Sequence, residues 1–163
     1  MFDLINGIPL HPLVVHAVVV LLPLAMLGTI AIAVRPRWRA TYGPLVVGAA
    51  LVATILCPVA TSSGEALEKR VGDPGEHADL GESLVWFGLA LVILSAALVY
   101  LQRRHDKAVT ADASAATAKN TMLTVVAVLA VVAGLATTVQ VYRVGDSGAR
   151  AAWGDAVTSS TGD

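Results

Sequence analysis

LVVHAVVVLLPLAMLGTIAIAV, residues 13–34, decides the fold. The stretch holds no Asp, Glu, Lys or Arg. It is long enough to cross a hydrocarbon core of about 30 Å as a helix, for which about 20 residues suffice. A single charge at mid-bilayer costs about 2.5–3.5 kcal/mol on insertion scales, so a charge-free run of this length is a strong membrane signal. Three more such runs follow, from Pro44 to Thr61, Leu84 to Leu101 and Met122 to Val141. Strict apolar–polar alternation is absent, so backbone satisfaction in lipid demands helices rather than a barrel. Pro23 inside the first run predicts a kink that neighbouring helices tolerate. The expected architecture is all-α: one integral membrane four-helix bundle over residues 1–163. Its helices lie near 12–34, 44–66, 75–103 and 120–143. A flexible linker rich in Ala, Thr, Asp and Ser covers 106–118, and a tail covers 144–163.

Composition agrees. Of 163 residues, 56% are hydrophobic and 14% charged, and the mean hydropathy of +0.72 exceeds what a soluble core of this size needs. The net charge of −1 gives no field to attract nucleic acid, so that class of partner is excluded. The single Cys57 rules out an internal disulfide and any paired-Cys zinc or redox motif. Ala31-Ile32-Ala33 mimics a signal-peptide cleavage site. However, residues 1–34 lack the basic leader region, and Arg35, Arg37 and Arg39 follow the run instead, so the first run is expected to stay as a span.

Basic residues predict the orientation. The 35–43 connection carries Arg35, Arg37 and Arg39, and the 102–120 connection carries Arg103, Arg104, Lys107 and Lys119. Only Lys69 and Arg70, between the second and third runs, and Arg143 and Arg150 in the tail lie on the other side. Seven against four places the first and third connections in the cytoplasm and both termini outside, an N-out/C-out bundle in the cytoplasmic membrane. Trp38, Tyr42 and Tyr100 then mark the inner boundary, and Trp86, Tyr142 and Trp153 the outer one.

Small residues predict the packing seams. They are Ala50, Ala53, Cys57, Ala60 and Gly64 on the second helix. On the third they are Gly81, Gly88 and Ser95, with His77 extending the face. On the fourth they are Thr124, Ala127, Gly134 and Thr138. No clear repeat relates the two hairpins in sequence, so the inverted-repeat transporter pattern lacks support.

With this topology the groups able to do chemistry collect on the outer side. His11, Glu65, Glu82 and Asp146 form an outer polar cluster, joined by His16, Glu68, His77 and Arg143. His105 is a cytoplasmic flank. Asp73-Pro74 reads as a helix start, with Asp as N-cap and Pro at the first position. His16 lies about a turn inside an apolar helix and needs a partner. It is a hydrogen-bonded structural residue, a metal or haem ligand, or a proton-handling group. His77 has the same choices beside an ordinary interfacial role. His11 precedes Pro12 and reads as a cap residue. His11 and His16 are about 140° apart around a helix and share no ligand face. A histidine pair for haem therefore requires His16 with His77, on facing helices of the bundle. The tail RVGDSGARAAWG, residues 143–154, reads as a turn into a short surface segment, with Trp153 resting at the interface.

These residues resemble a known family. Ile8-Pro9-Leu10-His11-Pro12-Leu13-Val14-Val15-His16 is similar to the opening HP-x-x-VH signature of the predicted membrane proteins grouped as domain of unknown function 2231. Ser63-Gly64-Glu65-Ala66 with Glu76-His77-Ala78-Asp79-Leu80-Gly81 resembles the second motif, and Gly145-Asp146-Ser147-Gly148-Ala149-Arg150 with Trp153 the closing one. The resemblance covers nearly the whole chain in the same order. It implies a four-helix module of the bacterial inner membrane with no assigned biochemical role. Because some relatives are joined to redox domains, it also raises haem b as a cofactor, with His11, His16, His77 and the glycine-containing tail at the matched positions. Many relatives carry His in the tail motif where this chain has Asp146, so a tail histidine is not available here.

Two functions compete. The first is a non-enzymatic structural or partner-binding module of the lipid bilayer, in keeping with small-residue seams and no catalytic constellation. The second is a haem- or metal-binding redox protein using His16 and His77, with a membrane or redox partner. A transporter or channel ranks below both, because no ionisable residue marks a mid-membrane path.

Overall fold

The computed structural model describes residues 4–5, 7–72, 74–112 and 120–160. A two-residue antiparallel ladder, β1 (Leu4–Ile5) against β2 (Ile8–Pro9), opens the chain, turning at Gly7 with a φ of 82°. Four helices follow: α1 (Leu10–Val34), α2 (Arg39–Val71), α3 (Glu76–Ala111) and α4 (Thr121–Ser160). A 3-10 turn, Pro36–Trp38, links the first two. Each helix is long and apolar enough to cross a membrane.

The helices outrun their apolar cores. α1 begins two residues before the expected start, because Pro12 falls in its first turn, where a missing N–H breaks no helical bond. α3 continues past residue 103 through charged residues to Ala111. Gln102 Nε2 donates to Asp106 Oδ1 at 2.9 Å, an i,i+4 pair that supports those polar turns. The expected linker over 106–118 is therefore helical as far as Ala111, and its residues 113–118 lie outside the described residues. Asp73, the expected N-cap of α3, also lies outside them. Pro74 precedes the helix instead of opening it, and Gly75 takes the cap position at a φ of 59°, a left-handed conformation that favours glycine. The largest departure is the tail. It does not turn after residue 143 but stays helical to Ser160. Gly145 and Gly148, which read as breakers, sit inside α4, and the Asp146–Arg150 ion pair spans one turn of it.

Successive helices pack side by side, and α4 closes the ring against α1. Both termini and the α2–α3 connection therefore share one end, the terminal end. The α1–α2 and α3–α4 connections share the other, the hairpin end. The core runs through Leu22, Ala25, Ala50, Ala53, Leu91 and Leu98, all fully buried. Large apolar side chains such as Leu24, Leu45, Ile93 and Leu135 point outward, as a bilayer-facing surface requires.

Close contacts set the rotation of each helix. A Cβ added at Gly28 would meet Val46 at 2.8 Å, and one at Gly88 would meet Thr54 Oγ1 at 2.5 Å. Gly134 receives Ile30 in the same way at 2.6 Å, and Gly43 receives Val99. The expected α2 seam of Ala50, Ala53 and Cys57 is buried. On α4 the buried face is Ala130, Gly134, Thr137 and Gln140, while Thr124 and Thr138 are exposed. The expected stripe was rotated by about one position, because Thr137 and Gln140 point inward. Gln140 Nε2 donates to Ser83 Oγ at 2.7 Å and to the Leu80 carbonyl at 3.1 Å.

Among the described residues, one charge is buried at the hairpin end. Arg39 is 2% exposed. Its Nε donates to the Ile32 carbonyl and its Nη2 to the Ala33 carbonyl, both at 2.8 Å, and Nη1 reaches Gln102 Oε1 at 3.1 Å. The C-terminal carbonyls of a helix lack partners and carry partial negative charge, so a guanidinium there satisfies both needs. Around it Arg35 lies over the Trp38 ring and Arg104 over the Tyr100 ring.

Candidate functional site

The terminal end holds two histidines built into the bundle in the same way. His11, in the first turn of α1, donates from Nδ1 to the Ala60 carbonyl of α2 at 2.9 Å, with Ser63 Oγ at 3.4 Å. The Ser63 hydroxyl donates to that same carbonyl at 2.9 Å. Gly64 lies beneath the ring, where a Cβ would come within 3.1 Å of Cε1. His77, in the first turn of α3, donates from Nδ1 to the Val144 carbonyl of α4 at 3.2 Å, with Ser147 Oγ at 3.3 Å. The Ser147 hydroxyl donates to that carbonyl at 3.0 Å, and a Cβ on Gly148 would come within 2.9 Å of the ring. Each seat is thus a carbonyl, a serine three residues on and a glycine four residues on, presented to an imidazole from the preceding helix. Helical geometry puts those three positions on one face.

The hydrogen bonding dictates the tautomer. A carbonyl oxygen only accepts, so Nδ1 carries a proton in both rings, and in the neutral imidazole Nε2 then holds the lone pair. Among the described residues no hydrogen bond reaches either Nε2. An imidazole held by an Nδ1–H···O=C bond with Nε2 left free has the orientation that ligand-binding histidines adopt.

Both rings border one cleft of about 320 Å³ at the terminal end, contributed by all four helices. Its walls are mostly apolar, with Val15, Val18 and Val19 from α1, Leu67 from α2 and Leu84 from α3. Ala151 and Ala152 belong to the part of α4 that continues past the expected helix end. Glu65, Glu68 and Glu82 supply its charge, and no lysine or arginine lies among its described lining residues.

The expected site residues divide accordingly. His11, Glu65, His77 and Glu82 come together at the cleft. His16 does not. It is exposed, its Nδ1 donates to the Pro12 carbonyl within α1, and it has no place in the cleft wall. The structure therefore joins His77 with His11, not with His16. Asp146 pairs with Arg150 at 2.9 Å, also outside the cleft. Cys57 lines the cleft floor, buried, its thiol donating to the Ala53 carbonyl. Ser63 and Ser147 were not singled out from sequence as partners of a ring. The shared signal was the Ser-Gly pair in Ser63-Gly64 and Ser147-Gly148, each following a histidine in chain order.

Haem b fits half of this site. Two imidazoles with free Nε2 atoms are the donor set of axial iron ligation. The propionates fit poorly, since the charged groups in the wall are carboxylates. Among the described residues no three His, Cys, Asp or Glu side chains gather to hold a metal ion.

A family model described as a predicted membrane protein, DUF2231, matches residues 7–161. No curated protein and no solved structure matches the chain.

Proposed function

The chain belongs to the DUF2231 family of predicted membrane proteins, and from that premise we propose that it is a non-enzymatic binding module of the cytoplasmic membrane, its working site the cleft between His11 and His77. The observation that carries this reading is the pair of identical seats. Two imidazoles from different helices are held by Nδ1, border one apolar cleft and keep Nε2 free. A purely structural histidine needs no second copy facing the same space. The excess of basic residues in the first and third connections supports N-out/C-out, which opens the cleft to the exterior face.

Intact-mass analysis of protein released gently from membranes tests the site. A bound non-protein mass is expected, absent from the His11→Phe/His77→Phe variant. The same protein-only mass for both forms would overturn the reading. Reporters fused after Arg39 and after Asp163 should read cytoplasm and exterior, and the reverse pattern would turn the cleft to the other face.

A second reading, haem b held between His11 and His77, is favoured by the two free Nε2 atoms and opposed by the three carboxylates. A visible spectrum of protein prepared with supplied haem decides it, and a flat Soret region sinks it.

A further inference from the structure

We infer that the cleft takes a primary ammonium group carried on an apolar chain. This rests on the cleft being the working site and goes further by naming the chemistry of its occupant. The Thr61 hydroxyl and the Cys57 thiol in the described lining are spent on backbone carbonyls, and its other polar side chains are imidazoles and carboxylates. In the neutral form, with each Nδ1 proton spent on a carbonyl, His11 and His77 offer Nε2 lone pairs. Glu65, Glu68 and Glu82 are carboxylates. A phosphate or carboxylate head entering this space meets anions and no lysine or arginine. A hydrated metal cation gains nothing from walls made of valine and leucine. An ammonium has three N–H donors and one positive charge, so its chemistry matches a lining of imidazole acceptors and carboxylates, and charge-assisted bonds are the strong ones. The walls around Val15, Val19 and Leu84 then cover the chain that follows. A long-chain amine lays its chain along those walls, whereas an ethanolamine lipid inserts its ammonium and the methylenes behind it, with its phosphate at the mouth and its acyl chains outside.

Two sources carry this head: an ethanolamine phospholipid or a free long-chain amine. A quaternary choline head has the same charge and no N–H, so it separates charge from hydrogen bonding. The full chain is placed in nanodiscs of equal phosphatidylethanolamine and phosphatidylcholine with matched acyl chains, and retained lipid is read by native mass spectrometry. A parallel arm adds hexadecylamine to nanodiscs of phosphatidylcholine alone. The expected result is one retained ethanolamine lipid, favoured at least about tenfold over choline, the worth of one charge-assisted hydrogen bond. The preference should vanish in His11→Phe/His77→Phe and weaken severalfold in Glu82→Gln, an exposed position whose neutral isostere leaves the fold intact. Retention of hexadecylamine but not the ethanolamine lipid also supports the inference and names the free amine as the source. Equal retention of both phospholipids with no amine bound, or a haem spectrum, overturns the ammonium assignment while leaving the cleft a binding site. No retained molecule in any arm overturns both.

Discussion

The two histidine seats are chemically the same and mechanically different. His11 donates to Ala60 at 2.9 Å, and its serine, Ser63, is 5% exposed between α1 and α2. His77 donates to Val144 at 3.2 Å, and Ser147 is only half-buried. The first seat lies in the apolar bundle, where packing around it leaves little freedom. The second lies where α4 runs on past its apolar stretch, with the exposed Ala149 and Arg150 beside it. One motif therefore serves as a rigid wall on one side of the cleft and a more adjustable wall on the other.

The most severe way to break the pair is to remove both imidazole acceptors. His11→Phe/His77→Phe is expected to cost about 3 kcal/mol or more in cleft binding, two charge-assisted bonds' worth, read as loss of the retained ligand. A control at the far end sharpens the contrast. Arg39→Ala leaves the Ile32 and Ala33 carbonyls and Gln102 Oε1 without their donor. It is expected to lower unfolding stability by about 2–3 kcal/mol in detergent, with ligand retention unchanged. A combined loss of both would show that the two ends are not independent.

Smaller changes separate the seats from each other. Gly148→Ala puts a Cβ 2.9 Å from the His77 ring, and Gly64→Ala puts one 3.1 Å from His11. Overpacking of this kind costs about 1–3 kcal/mol, offset by about 1 kcal/mol of helix propensity. Thermal unfolding should show both variants near neutral to mildly destabilised. Ligand retention should fall more for Gly148→Ala, because the shorter approach forces the His77 ring to move. Equal retention would show that the more adjustable second seat absorbs its shorter approach. Ser63→Ala and Ser147→Ala are the gentlest test, at about 0.6 kcal/mol each for a hydrogen bond between membrane helices. The buried Ser63 is expected to lose more, measured by the same unfolding assay.

Much of the bundle was legible because its signals are local. Four charge-free runs announce four helices, and Ala50, Ala53 and Cys57 announce a seam. The site was half legible. His77, His11, Glu65 and Glu82 were all expected near one end, and the cleft gathers them. The pairing of His16 with His77 failed because His16 satisfies its ring within its own helix and turns outward. The tail failed for a related reason. Gly145 and Gly148 look like breakers when only local propensity is weighed, yet α4 runs on through them, and Gly148 makes room for an imidazole from another helix. For the same reason the repeat between the hairpins left only the two Ser-Gly pairs as a trace in the sequence. Its members are a histidine, a serine and a glycine brought together by packing, amid neighbours that differ.

The sequence by itself determined that this membrane-protein chain has four helices long and apolar enough to cross a bilayer. Charge desolvation and helix length act on each segment alone, so no partner helix is needed to read them. Only the tertiary structure decided which histidines share a cleft. That choice depends on the rotation of each helix about its axis. The rotation is set by contacts such as Gly28 with Val46, Gly88 with Thr54 and Gly134 with Ile30, which exist only once the helices have packed.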